Sequence, residues 1–334
     1  MLDSLPNPLV DSFGRRISYV RLSVTDRCDF RCTYCMAEDM TFLPRREVLS
    51  LEEIARVARV FVGLGIVKLR VTGGEPLVRR DVGQLFDALG DLQGLQELAV
   101  TTNGSRLSTY APRLRKAGVT SLNISLDTLD ANRFQAMTRV GNLSDVLAGI
   151  DAAVAQGFPR IRINAVILRN SNEQDIHALV DFAIDRGVDI AFIEEMPLGH
   201  VTVAGKSLSF ISSDEVYQEV GQRFGLTPET PPEHAGPARY WQIDGTASRL
   251  GLISPHSNNF CSSCNRLRVT AEGRLLLCLG NENSISLRDL LRGGASDEDL
   301  ANAIHSALNE KPERHVFDQP DQPQIMRFMN ASGG

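Results

Sequence analysis

The 334-residue sequence has no apolar run approaching the roughly 20 residues that a membrane-spanning helix needs. Its opening stretch, MLDSLPNPLVDSFGRRI, lacks the apolar core of a signal peptide. Together these absences predict a soluble cytoplasmic protein with no membrane partner. Positive charge is not in excess either: 35 Lys and Arg stand against 41 Asp and Glu, a formal net charge of −6. No general basic field is therefore available to draw in nucleic acid, and an anionic ligand must be held by local cations. A G-x4-G-K-S/T phosphate loop is also missing, so a polyphosphate would be bound by side chains and not by a helix start. The rest is ordinary for a globular protein, with 43% apolar and 23% charged residues. The length suggests two domains.

Cysteine is scarce, and its placement is informative. The six cysteines fall into two sets, Cys28, Cys32 and Cys35 as C-x3-C-x2-C, and Cys261, Cys264 and Cys278 as C-x2-C-x13-C. Structural disulfides are rare in a reducing compartment. Structural zinc would need a fourth ligand at each set, usually cysteine or histidine. Of the six histidines only His256 lies near a set, five residues before Cys261. Three thiolates without a fourth ligand suit a 4Fe–4S cluster that leaves one iron open, and here the pattern occurs twice. A thioredoxin-like redox site would use a single C-x2-C.

Between residue 17 and about 196, short β-rich runs alternate with amphipathic helical stretches, which predicts βα units on a parallel sheet. The spacing predicts strands at 17–24, 67–72, 97–102, 120–125, 160–167 and 189–194. Helices are predicted at 51–62, 81–89, 107–117, 144–156 and 173–186, the first opened by a Ser50–Glu53 capping box. Strand side chains alternate between faces. One face carries Leu69, Val71, Leu122, Ile124, Ile161 and Ile163; the other carries Arg21, Lys68, Arg70, Asn123, Arg160 and Arg162. Parallel sheets are normally covered on both faces, and unpaired buried cations are costly. A cationic inner face thus predicts a large anionic ligand inside an incomplete (βα)6 barrel that is open on one side.

The pattern breaks around 196–260, where Gly199, Gly205, Pro228, Pro231, Pro232, Gly236 and Pro237 mark loops around a short helix near 213–222. Strand-like pieces at 250–280, a helix at 297–309 and a polar tail complete the chain. This gives an α/β fold with domains at 1–200 and 201–334, the second an α+β extension carrying the second cysteine set.

C-x3-C-x2-C with Tyr34 before the third cysteine resembles the radical S-adenosylmethionine (SAM) class. The wider set RLSVTDRC with TYC (21–35), LRVTGGEPLVRRD (69–81), TTNG (101–104), SLDTLD (125–130), FIEEM (192–196), CSSCNRLRVTAEGRLLLC (261–278) and terminal Gly333–Gly334 resembles, within that class, the GTP 3',8-cyclase family of molybdenum cofactor biosynthesis. The resemblance spans residue 13 to the end. It implies a lyase with two 4Fe–4S clusters, on Cys28, Cys32 and Cys35 and on Cys261, Cys264 and Cys278. SAM would bind the open iron of the first, with Tyr34, Gly74, Ser125 and Met196 as contacts. GTP would meet Arg21, Lys68, Arg70, Thr101, Arg162, Arg266, Leu267 and Arg268, and guanine would bind the second cluster. Arg21, Arg266 and Arg268 would also act in catalysis. The Gly333–Gly334 tail would reach into the site. A flavodoxin or ferredoxin as one-electron donor, a homodimer and transfer of product to the next enzyme of molybdopterin synthesis are implied as partners.

Two positions depart from the family pattern. A family lysine on the fifth strand is Arg162 here, and the arginine that usually opens R-F-I-E-x-M is Ala191. The loss of a barrel cation at 191 predicts weaker GTP binding, compensation by Arg160 or Arg162, or a divergent cyclase. The competing readings are a peptide-modifying radical SAM enzyme with an auxiliary cluster, which would usually carry more C-terminal cysteines, and a zinc-stabilised binding protein.

Overall fold

The computed structural model describes residues 8–196, 198, 210–230, 236–315, 317 and 327–333. Its strands, in chain order, are β1 (Tyr19–Ser23), β2 (Lys68–Thr72), β3 (Glu97–Thr102), β4 (Ser121–Ser125), β5 (Arg160–Ile167), β6 (Asp189–Glu194), β7 (Leu226–Pro228), β8 (Arg239–Ile243), β9 (Arg249–Ile253), β10 (Arg266–Val269), β11 (Arg274–Leu276) and β12 (Ser284–Ser286). The helices are α1 (Leu51–Gly63), α2 (Val82–Gly90), α3 (Leu107–Lys116), α4 (Ala131–Thr138), α5 (Leu143–Ala155), α6 (Ile176–Asp185), α7 (Ser213–Gly221), α8 (Leu287–Arg292), α9 (Asp297–Leu308) and α10 (Met329–Ser332).

The six βα units form as their sequence spacing predicts, with boundaries moved by a residue or two. Ser50 caps α1 reciprocally: its hydroxyl accepts from the Glu53 N–H at 3.1 Å, and its own N–H donates to the Glu53 carboxylate at 2.7 Å. Two corrections apply. The helix predicted over 173–186 begins as a tight 3-10 turn at Glu173–Asp175 and becomes α-helical only from Ile176. And α4 is an unpredicted helix, opened by Asp130, whose carboxylate accepts from the Arg133 N–H at 2.7 Å.

All twelve strands belong to one sheet, ordered β12-β11-β10-β1-β2-β3-β4-β5-β6-β9-β8-β7. Strands β1 to β6 pair in parallel. The polar C-terminal part extends that sheet at both edges: β10 lies parallel to β1 and β9 parallel to β6, each followed outward by antiparallel strands. The six-unit barrel therefore does not end at bare edges. Residues from β1 to β6 and from β8 to β10 line one cavity of about 730 Å3, so the sheet is curled around it.

The two faces divide as the alternation requires. Val20, Leu22, Leu69, Val71, Val100, Leu122, Ile124, Ile163 and Ile190 turn outward and are fully or almost fully buried with the helices. Each such side chain contributes about 1.5–3 kcal/mol of hydrophobic stabilisation. The inner face carries the cations. Among the described residues no helix is long and apolar enough to cross a membrane. The boundary expected near residue 200 lies beside positions outside the described residues.

Candidate active site

Both cysteine sets face the same cavity. Cys28, Cys32 and Cys35 sit on the loop after β1, while Cys261 and Cys264 precede β10 and Cys278 follows β11. All six are free thiols. Among the described residues, no three His, Cys, Asp or Glu side chains gather around a single-ion position. Three thiols per set suit a 4Fe–4S cluster with one open iron, whereas structural zinc takes four ligands.

The first set is ringed by acids. Burial, reinforced by Glu75 and Asp29, pushes the Cys28 thiol up to about 12, although the Phe30 N–H favours its thiolate. Burial also pushes Cys35 up to about 12, with Asp127 adding to it and the Asn330 N–H opposing it. Cys32 rises well above its usual value through burial, with Cys35 and Asp127 adding to it. The loop is held by a fixed carboxylate. Glu75 is fully buried and accepts from the N–H groups of Leu77 (2.9 Å) and Asn103 (2.6 Å) and from the Thr102 hydroxyl (2.9 Å). Burial still brings its carboxyl up to about 7. Asn103 then donates to Asp29 at 2.7 Å.

Gly73 and Gly74 serve that loop directly. A Cβ on Gly74 would stand 2.5 Å from the Arg27 carbonyl oxygen, and one on Gly73 would stand 2.6 Å from that of Thr25. The backbone of the cysteine loop thus packs directly against both glycines. Both glycines still line the cavity, as do Tyr34, Ser125 and Met196. The Tyr34 hydroxyl donates to Asp127 at 2.6 Å, which anchors the loop to the end of β4.

The second set is ringed by cations. Lys311, only 2% exposed, donates to Cys264 Sγ at 3.6 Å and to the carbonyls of Arg266 (3.1 Å) and Leu277 (2.5 Å). Burial alone would raise the Cys264 thiol, but Arg266, Lys311 and Arg15 together bring it below its usual value. Burial raises Cys261 and Cys278, opposed by Lys311 at both and by Arg15 at Cys261. Arg15, paired with Asp11 at 2.6 Å, donates to the Cys261 carbonyl at 2.8 Å and so ties the N-terminal segment to this site. His256 is engaged elsewhere: Glu195 and Glu194 hold its ring and its N–H.

Between the two sets the inner-face cations fall into two groups. Lys68 is matched by Glu97 at 2.8 Å, and Arg249 by Asp189 at 2.5 Å and Glu229 at 3.4 Å. Among the described residues Arg70, Arg162 and Arg268 pair with no carboxylate; neutral oxygens hold Arg162 and Arg268, and the Tyr19 phenol oxygen holds Arg70. Arg70 donates to the Tyr19 hydroxyl at 2.7 Å, Arg268 to the Gly333 carbonyl at 2.5 Å, and Arg162 to Asn164 at 2.8 Å and to the Tyr240 hydroxyl. Burial and the neighbouring Arg21 and Arg266 hold Arg268 below its usual range. Burial pushes the Tyr19 phenol up, but Arg70, Arg21, Lys68 and Arg266 together bring it down to about 7. Cations kept in place without being neutralised form a receptor for a polyanion.

The expected nucleotide contacts Arg21, Lys68, Arg70, Thr101, Arg162, Arg266, Leu267 and Arg268 all line this cavity. Through its carbonyl, Gly333 accepts from two of these, Arg21 at 3.5 Å and Arg268 at 2.5 Å. Its φ of +77° and the 2.8 Å that a Cβ would leave to Thr72 explain why a glycine stands there. Gly334 lies outside the described residues. Tyr19, Tyr240 and Lys311 were missed by sequence reasoning. Tyr19 was accessible to it, two residues before Arg21 on the same face of β1. Lys311 carried no signal, because folding brings it to Cys264 from 47 residues away.

Two family signatures match the chain: the radical SAM superfamily over residues 22–183 and molybdenum cofactor synthesis C over residues 188–317. Among solved structures, Streptococcus suis SuiB bound to S-adenosylmethionine shares the fold, with a TM-score of 0.60 at 17% identity over 94% of this chain and 75% of that one. A relative named GTP 3',8-cyclase from Marinobacter nauticus is 57% identical over 98% of each chain. GTP 3',8-cyclase 1 of Pseudomonas aeruginosa is 58% identical over 97% of this chain and 99% of its own. Identity at that level over nearly the whole length, on a cavity flanked by two cysteine triads, excludes the zinc-stabilised and peptide-modifying readings: the chain belongs to the GTP 3',8-cyclase family of radical SAM enzymes.

Proposed function

We propose that the cavity binds SAM at the Cys28, Cys32 and Cys35 end and GTP at the Cys261, Cys264 and Cys278 end, and converts GTP to 3',8-cyclo-7,8-dihydro-GTP in molybdenum cofactor biosynthesis. The observation that carries this reading is the pair of triads on one cavity, with Arg70, Arg162 and Arg268 on its wall paired to no carboxylate. Cys28, Cys32 and Cys35 would hold a 4Fe–4S cluster, which would supply the one-electron reduction of SAM needed to remove hydrogen from C3' of GTP; once C3' bonds to C8, a second electron from the external donor and a proton would complete the dihydro product. The second triad, with the same donor chemistry, would hold a second cluster that receives guanine.

The chain's own part is positioning and exclusion of water. Gly74, Tyr34, Ser125 and Met196 would contact SAM, and the acids around the first triad favour a cationic ligand. Arg21, Lys68, Arg70, Thr101, Arg162, Arg266, Leu267 and Arg268 would contact GTP. Arg21 and Arg268 donate to the Gly333 carbonyl, and Arg266 lines the same cavity beside Cys264, which supports a role for the three in the reaction. The half 1–200 would thus hold SAM and supply cations to GTP, while the half 201–334 would add the second triad, Arg266 and Arg268, the two halves sharing one sheet. The family resemblance adds a flavodoxin- or ferredoxin-type electron donor, a homodimer and a downstream enzyme of molybdopterin synthesis.

The test is anaerobic reconstitution with iron and sulfide, followed by SAM and dithionite with and without GTP. The expected result is 5'-deoxyadenosine formation stimulated by GTP, with label moving from C3' of GTP into it. Deoxyadenosine formation indifferent to GTP would contradict the substrate assignment.

A further inference from the structure

A row of four residues in register runs across β5, β6, β9 and β8, and its two ends, Asn164 and Tyr240, line the cavity. Asn164 on β5 neighbours Ala191 on β6, Ala191 neighbours Gly251 on β9, and Gly251 neighbours Tyr240 on β8. The middle of the row is nearly empty of side chain. A Cβ on Gly251 would stand 3.0 Å from Tyr240 Cε1 and 3.1 Å from Ala191 Cβ, so the tyrosine ring lies over the gap that the two small residues leave. From there its hydroxyl accepts a short hydrogen bond from Arg162 Nη1, while Asn164 Oδ1 accepts from Arg162 Nε at 2.8 Å.

The ring lies between two different guanidiniums. Arg249 sits 5.0 Å from the ring centroid and is neutralised by Asp189 and Glu229. Arg162 faces the cavity and is held by two neutral oxygens. A hydroxyl fixes a guanidinium without cancelling its charge, whereas a carboxylate would cancel it. The departure at 191 is thereby explained: an arginine there would compete with the Tyr240 ring for the same space.

We propose that Tyr240 is a positioning residue that holds the Arg162 guanidinium toward the phosphates of the bound nucleoside triphosphate, in space opened by Ala191 and Gly251. This rests on the reading of the cavity as a GTP site.

The test measures equilibrium binding of GTP and guanosine to the anaerobically reconstituted holoenzyme, with steady-state kinetics alongside. Tyr240→Phe keeps the ring and removes the hydroxyl. It should weaken GTP binding about tenfold, as expected for losing one hydrogen bond to a charged group. Guanosine binding should not change, and KM should rise with kcat within about twofold. Gly251→Ala, which crowds the ring without removing the hydroxyl, should give a smaller loss confined to GTP. In an Arg162→Ala background, Tyr240→Phe should add nothing. Equal losses in both backgrounds would overturn the positioning role, as would a matching loss for guanosine. Wild-type protein that does not prefer GTP to guanosine would bring down the reading of the cavity itself, and this role with it.

Discussion

The two cysteine triads share a residue type, a count and a cavity, yet their surroundings carry opposite charge. The charged side chains that act most strongly on Cys28, Cys32 and Cys35, other than the cysteines themselves, are acids: Glu75, Asp29 and Asp127. Those that act most strongly on Cys261, Cys264 and Cys278 are the cations Arg15, Arg266 and Lys311. Equal donor sets need not do equal work. An acidic shell favours a cation such as SAM and resists added negative charge, whereas a basic shell favours an anionic nucleotide. The difference arises from where the fold places a few buried ionisable groups, not from the cysteine spacing.

The largest effects should come from breaking either triad. Cys35→Ser should abolish 5'-deoxyadenosine formation, whereas Cys264→Ser should retain part of it and lose cyclisation; full cyclase activity in the Cys264 variant would remove the distinction between the sites. Next in size is Lys311→Met, which removes a buried cation that three acceptors depend on. It should cost about 3 kcal/mol in anaerobic denaturant unfolding and lower iron retained at the second triad while sparing the first. Its counterpart, Glu75→Gln, cannot accept from the Asn103 N–H in the same way and should cost about 1–3 kcal/mol, with iron lost from the first triad instead.

The smallest effect is a pH dependence. The Tyr19 phenol lies near 7, below its ordinary 10, so its phenolate contributes stability gained as pH rises from about 7 toward 10 and lost as pH falls through 7. That phenolate competes with a bound polyanion for Arg21, Arg70, Lys68 and Arg266. GTP affinity should therefore fall as pH rises through about 7 to 8, by up to about tenfold per pH unit for one linked proton. Tyr19→Phe should flatten the profile; an unchanged slope would show that Tyr19 is not the group responsible.

Much of this was legible in the sequence for a physical reason. Period-2 alternation with Arg and Lys on one face already implied both the sheet and an anionic ligand, and the cysteine triplets implied open-iron clusters. Long-range placement was not legible. That β9 and β10 join the two edges of the barrel depends on pairing across the whole chain. Nor does any local pattern show that Gly73 and Gly74 are required by loop packing against Thr25 and Arg27. Compensation for Ala191 was expected from Arg160 or Arg162 alone. The structure adds Tyr240, whose reach across Gly251 no local pattern announces.

The most direct test of the division of labour uses two reconstituted variants, one with Cys261, Cys264 and Cys278 all changed to Ser, the other with Cys28, Cys32 and Cys35 so changed. Each is reduced, and its electron paramagnetic resonance spectrum is recorded alone, with SAM and with GTP. The account predicts that the signal from the first triad responds to SAM and not to GTP, and that the signal from the second responds to GTP and not to SAM. A response to GTP from protein that retains only Cys28, Cys32 and Cys35 would contradict it.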